Sequence, residues 1–159
     1  MRELSEVRQL PALSNMLVRI NGSESPVWTA KCDVWSVDDV DRFELDAPDH
    51  DELCALACYV DLLPRSNEFW ASDPEMAIAF CKNLCVRVRS VPVRCCRVDL
   101  AIRRAVIVPG AFDLGITAYL IACGVTEADA VVQLESALAV FADSVLPEAS
   151  TTASPSKLQ

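Results

Sequence analysis

The sequence predicts an α+β fold: a mostly antiparallel sheet with helices on one face, an N-terminal hairpin and a long C-terminal helix. Three observations carry this expectation. Apolar and polar residues alternate with a period of two over residues 27–35 and 97–103. Apolar residues recur at spacings of three and four from Val131 to Val145. The chain has 159 residues, of which 52% are hydrophobic and 23% charged with only 4 Gly, the balance of one globular domain and not of a low-complexity chain. At this length roughly 70% of the unfolded surface can be buried, so neither a disulfide nor a metal is required for a core. Residues 1–147 therefore read as a single α+β domain, and residues 148–159, rich in Ser, Thr, Ala and Pro, as a disordered tail.

Residues 16–20 and 27–35 read as two strands reversed at Asn21-Gly22, a step in which both residues accept positive φ. In the second strand Trp28 and Cys32 fall on the same side and are expected to face inward. Ser36-Val37-Asp38-Asp39 has the pattern of a helix cap and predicts a single turn ending near Phe43. Residues 48–63 read as a helix, with Pro48 in its first turn, Asp49, Asp51 and Glu52 at the positive end of its dipole and Pro64 as its stop. A second helix is expected to open at Ser72 and run to about Leu84.

From residue 85 to 109 the period changes to two. Val86 and Val88 alternate with Arg87 and Arg89, and Val98, Leu100 and Ile102 alternate with Arg97, Asp99 and Arg103. The phase slips at Pro92 and at Cys95-Cys96, the mark of a bulge or an edge. Residues 115–122 read as a buried strand, because β-branched and aromatic residues dominate and Gly124 follows. Thr126 then caps the clearest helix, with Glu127 and Asp129 in its first turn and Leu146-Pro147 at its end. The expected order is β-β-α-α-β-β-β-α.

The formal net charge is −9, unevenly spread. Residues 33–75 hold 13 acids and 2 bases, while residues 82–104 hold 7 bases and 1 acid. Neutralisation within the fold or across a dimer is the plainer consequence; a basic groove for an anionic partner is the sharper one. The field of the whole chain weighs against nucleic acid unless Arg87, Arg89, Arg94 and Arg97 gather on one surface. The first eight residues lack the apolar run of a secretory signal, and Asp99, Arg103 and Arg104 divide the most hydrophobic half below the ~18 residues of a membrane span. The expectation is a cytoplasmic protein without membrane association, whose eight cysteines stay reduced.

His50, Cys54 and Cys58 lie four residues apart, and Cys81 and Cys85 repeat the interval. On helices these five side chains would present one nitrogen and up to four sulfurs to a common point, a donor set that suits zinc. The spacing lacks the short-loop knuckles of tight zinc sites, and each thiol lies in an apolar run where free cysteine acts as a small hydrophobe. A nucleophilic Cys54 beside His50 is disfavoured, because Asp49, Asp51 and Glu52 would raise its pKa. No phosphate-binding glycine loop, nucleophile elbow or metal-binding His/Glu motif is present. Among the tryptophans, Trp70 and its neighbour Phe69, in the loop between the helices, are expected to be exposed and to anchor a partner.

Residues 76–145 resemble the second half of the secretion-chaperone-like fold shared by type III secretion chaperones and the YbjN family. A helix ending in Cys81-Lys82-Asn83-Leu84, strands around 86–108, a strand ending at Ala122, and Gly124-Val125-Thr126-Glu127 opening a long amphipathic helix follow its order. The Arg103-Arg104 step stands where that fold has a tight Gly or Asn turn, and the first 75 residues have no counterpart. The resemblance implies a small, acidic, often dimeric protein that acts by binding other proteins.

The reading that follows is a non-enzymatic protein-binding domain, a small acidic chaperone or adaptor, homodimeric and needing no cofactor. Its contacts would come from Phe69, Trp70, Arg87, Arg89, Arg94 and Arg97. The alternatives are a zinc-binding or redox-responsive thiol protein centred on His50, Cys54, Cys58, Cys81 and Cys85, and a small regulator or viral effector that holds nucleic acid on its basic strand residues.

Overall fold

A computed structural model of the chain describes residues 10–47, 49, 52–65, 70, 72–105 and 114–147. Its elements are α1 (Pro11–Ile20), β1 (Val27–Val37), β2 (Cys54–Pro64), α2 (Pro74–Arg89), β3 (Cys96–Arg104), β4 (Leu114–Gly124) and α3 (Glu127–Val145). The four strands form one antiparallel sheet in the order β1-β2-β4-β3. The α+β class and the antiparallel sheet are as the sequence predicts; several elements differ in kind.

The first expected strand is a helix. Pro11 opens α1, where its missing N–H removes no bond. Leu13, Met16 and Ile20 are fully buried along one stripe of it. Four apolar residues and one arginine over 16–20 do not separate the two periods, and the stripe emerges only when Leu13 is included. Asn21-Gly22 therefore ends a helix instead of turning a hairpin. The Asn21 amide donates to Leu17 O (2.8 Å) and Thr29 Oγ1 (2.7 Å) and accepts from Thr29 N (3.0 Å), which ties the end of α1 to β1.

β1 carries a bulge between Thr29 and Cys32, and the extra residue exchanges its faces. Val27 points inward before it, and Cys32 and Val34 pack on the core after it. Cys32 thus faces inward as expected, whereas Trp28 lies opposite Leu63 and is half-buried. The expected turn ending near Phe43 is not helical: β1 continues to Val37, and the chain reverses at 42–46, where Ala47 N–H reaches Arg42 O at 3.0 Å and Asp46 has φ 50°.

The largest correction concerns residues 48–63, read as a helix. Its described part from Cys54 onward is β2, an inner strand between β1 and β4. Its face away from the main core also carries Ala55, Ala57 and Leu63, so the strand reads as a nearly continuous apolar run and its period carries little signal. β2 alternates all the same, with Cys58, Val60 and Leu62 in the core and Tyr59 and Asp61 on the other face. β1 and β2 do pair antiparallel, but across the long connection 38–53 and not through the expected tight hairpin.

α2 begins at Pro74 with Asp73, not Ser72, as its cap: Asp73 Oδ1 accepts from Glu75 N (2.9 Å) and Met76 N (3.3 Å). It runs five residues beyond Leu84, so Val86 to Arg89 are helical and not strand. Ala77, Phe80, Cys81, Leu84 and Val88 form its core-facing stripe, a 3.6-residue period that the short Val/Arg alternation obscures. Strand structure starts only at Cys96, after Cys95 at φ 55°. Val98, Leu100 and Ile102 pack on the core as expected. Ala105 lies past β3, and residues 106–108, expected with it to prolong the strand, fall outside the described residues. β4 contains the expected strand 115–122.

α3 is the helix expected, closed by a capping box. Thr126 Oγ1 accepts from Asp129 N (3.1 Å), and the Asp129 carboxylate accepts from Thr126 N (3.0 Å). Its buried Leu134, Leu138 and Phe141 join Leu13, Met16 and Ile20 of α1 and Ala77 and Leu84 of α2 in one cluster. The same cluster holds the inward row of the sheet, Cys58, Val60, Leu62, Ile116, Ala118 and Leu120. The three described helices thus lie on one face. The expected disordered tail, 148–159, lies outside the described residues.

Candidate functional site

The second face of the sheet has no described helix over it. Because side chains alternate, the strand register assigns its rows: Trp35, Ala57, Ile121 and Arg97 in one, then Asp33, Tyr59, Tyr119 and Asp99, then Asp61, Thr117 and Ala101. Three aromatic rings cross the sheet diagonally. Trp35 and Tyr59 have centroids 6.2 Å apart, as do Tyr59 and Tyr119, both pairs tilted. Arg103 lies over the Tyr119 ring, 5.2 Å from its centroid, and donates to its hydroxyl. Trp35 is 40% exposed and both tyrosines are half-buried.

Charged groups surround the rings. Thr117 donates to Asp61 Oδ1 at 2.6 Å, and Arg97 bridges Glu44 and Asp99. Burial and then the charges of Asp61 and Asp33 raise the Tyr59 pKa, so its phenol is held neutral. At one end the segment 38–47 folds over the sheet and closes a small apolar cluster of Leu45, Ala55 and Cys123 with Val37, Val40, Cys95 and Ile121. At the other, a cavity of about 260 Å³ is lined by Lys31, Asp61, Arg103 and Thr117 among others. An aromatic centre with a polar rim is the anatomy of a protein-recognition surface.

Of the described residues expected to bind a partner, Arg97 stands on this face and the others do not. Trp70 is 1% exposed, its ring 4.3 Å from that of Phe80 on α2. Its large apolar area is buried in the core, contrary to the exposed anchor expected. Phe69 lies outside the described residues. Arg87 donates to the carbonyls of Asp143 (3.0 Å) and Leu146 (2.7 Å), so it serves the C-terminus of α3, where a cation complements the dipole. Arg97 stands on the open sheet face. Arg89 and Arg94 are exposed, and Arg89 and Arg97 both line a cavity of about 320 Å³ among α2, β3 and α3, whose lining includes neither Arg87 nor Arg94. The four arginines do not form a common groove. Arg97 with Glu44 instead joins the basic and acidic stretches of the chain within the fold.

The expected zinc set does not converge either. Cys54 and Cys58 are both on β2, about 13 Å apart along the strand. Cys54 is exposed and Cys58 is buried in the core. Cys81 and Cys85 ride on α2, which packs against α3, β3 and β4. His50 falls outside the described residues. Among the described residues no three His, Cys, Asp or Glu side chains gather as a metal site. Burial pushes the Cys58 thiol up to about 12, with Cys32 adding to the effect. Cys81 rises to about 11 by burial and the neighbouring Cys85. Such thiols stay protonated and unreactive at neutral pH.

Tyr59 and Tyr119 were not prominent in the sequence. Their signal is Asp61: one carboxylate inside the apolar run 54–64 marks the face that is not core, and Tyr59 shares that face. No described helix is long and apolar enough to cross a membrane. No family model matches the chain, and neither a curated protein nor a solved structure matches it.

Proposed function

We propose that this chain is a non-enzymatic protein-binding domain of the small acidic chaperone or adaptor class, which meets its protein partner on the open sheet face. The observation that carries this reading is the aromatic run Trp35, Tyr59 and Tyr119, exposed at Trp35 and half-buried at the tyrosines, on a sheet whose described helices all lie on the other side. Aromatic side chains on a rigid strand surface lose little freedom when covered, and a charged rim excludes water from them. The raised thiols of Cys58 and Cys81 are consistent with packing rather than catalysis.

The occupant is a second copy of the chain. Around the rings stand Asp33, Glu44, Asp61 and Asp99 against Lys31, Arg97 and Arg103, a balance of −1 (three bases less four acids) in a chain of net −9. Two copies approach on this face with the least like-charge repulsion, and each carries both signs to offer the other in an isologous contact. Three aspartates among the rings oppose a phosphate backbone on the same platform.

Light scattering behind size exclusion tests this. The wild type elutes as a dimer, association tightens as added salt screens the net charge, and Trp35→Ala with Tyr119→Ala gives a monomer that is still folded by circular dichroism. A monomeric wild type at tens of micromolar would overturn self-association. Retention of single-stranded RNA that weakens with salt would overturn the choice of a protein partner.

A further inference from the structure

We propose that Cys95 and Cys123 form an oxidisable dithiol that closes to a disulfide across the β3–β4 edge. The two residues face each other where β3 begins and β4 ends: Cys96 pairs with Ala122, and Cys123 N–H donates to Cys95 O at 2.9 Å. Both side chains lie in the small apolar cluster under the segment 38–47. Directly opposed residues of an antiparallel pair have Cβ atoms about 4.5–5.5 Å apart, within a small shift of the 3.5–4.5 Å a disulfide uses.

The other thiols are less suited. Cys32 lies opposite Val60 and Cys58 opposite Val34, so those two meet only on a diagonal of about 7–8 Å. Cys81 and Cys85 sit one turn apart on α2, where a bond would distort the helix. Cys96 adjoins Cys95 in sequence but packs on the helix side of the sheet, away from Cys123.

The two partners have different access. Cys123 is fully buried, and burial, then the Cys95 thiol, hold its pKa up at about 11. Cys95 is half-exposed, with its Sγ 3.9 Å from Asp46 O. Its φ of 55° is a left-handed conformation that residues with a Cβ rarely adopt.

The oxidant is a peroxide. The Cys95 thiolate attacks one peroxide oxygen, the O–O bond breaks, and Cys95 becomes a sulfenic acid while hydroxide leaves and takes up a proton as water. The Cys123 sulfur then attacks the sulfenic sulfur. The S–O bond breaks, the Cys123 proton leaves with the hydroxyl as a second water, and the S–S bond forms. Two thiols have lost two electrons and the peroxide has gained them.

The experiment is titration of the reduced full chain with hydrogen peroxide, followed by alkylation, intact mass and peptide mapping. The first product should lack two hydrogen atoms, keep six of its eight cysteines alkylatable, and yield one cross-linked peptide joining Cys95 to Cys123. In Cys123→Ser the product should stop as a Cys95 sulfenic acid that dimedone traps. A first disulfide between any other two cysteines, or between two chains, overturns the proposal. So does a wild type that gains oxygen at Cys95 without closing. The wild-type map decides the matter even if the variant does not fold.

Discussion

At the scale of single residues, the described glycine with the least room for a side chain is Gly124, where β4 gives way to α3. A Cβ built there would stand 2.4 Å from Asp129 Cβ and 2.7 Å from Ala130 N. The obstacle is the backbone of the first helical turn and not the end of a mobile side chain, so the strand and α3 would have to part. Overpacking of this kind costs about 1–3 kcal/mol. Gly124→Ala is therefore expected to lower the urea midpoint by an amount equivalent to about 2 kcal/mol. Gly22→Ala, whose nearest atom would be Arg19 O at 3.1 Å, should lower it less. Equal midpoints for the two variants would show that α3 is not seated on Gly124. The importance of Gly124 was partly legible, since a glycine just before a cap reads as punctuation. That the helix lies against its α-carbon was not, because this depends on packing between elements.

Elements were legible in proportion to how one-sided their surroundings are. α3 has one buried stripe and a cap spelled out by Thr126 and Asp129, and it was read to within a residue. β2 carries apolar Ala55, Ala57 and Leu63 on the open face as well as Cys58, Val60 and Leu62 in the core, so its apolar run has no clean period, and the acids before Cys54 imitate a helix start. α2 failed in the opposite direction: Val86-Arg87-Val88-Arg89 alternates, yet Val88 continues the stripe of Cys81 and Leu84. The open sheet face was hidden by the same error, since a helical reading of β2 removes the strand that carries Tyr59. The cap of α3 provides an element-scale prediction. Thr126→Ala removes the acceptor for Asp129 N and the Oγ1 contact to Asp129 Oδ2 at 2.7 Å, and should destabilise the protein by about 1 kcal/mol. Because Leu134, Leu138 and Phe141 depend on that helix, the loss should appear in global unfolding and be restored largely by Thr126→Ser. Amide exchange that speeds up only in the first turn, with an unchanged global midpoint, would mean that the cap is not coupled to the core.

For the whole molecule, the strongest titration effect comes from thiols and not from the many carboxylates. Cys58 is fully buried at the centre of the sheet, and its pKa rises from 9.0 to about 12, chiefly through desolvation. Cys81 and Cys123 rise to about 11 for the same leading reason. A group whose folded pKa is raised keeps its proton in the native state at pH values where the unfolded chain has lost it. The stabilising contribution is thus complete below pH 9 and drains away as pH climbs toward 11 and 12. The unfolded chain binds fewer protons in that window, so the free energy of unfolding falls with pH. For Cys58 alone the loss between pH 8 and pH 10 is about 1 kcal/mol, and the other two thiols act in the same direction. Urea unfolding under reducing conditions at pH 7, 8, 9 and 10 should therefore give a flat stability to about pH 8.5 and a steady decline beyond it. Cys58→Ala, though less stable at neutral pH through its small cavity, should show a shallower decline. A wild-type stability that holds constant to pH 10, or a variant with an undiminished slope, would place the Cys58 thiol in contact with water and remove it from the core that joins the sheet to its helices.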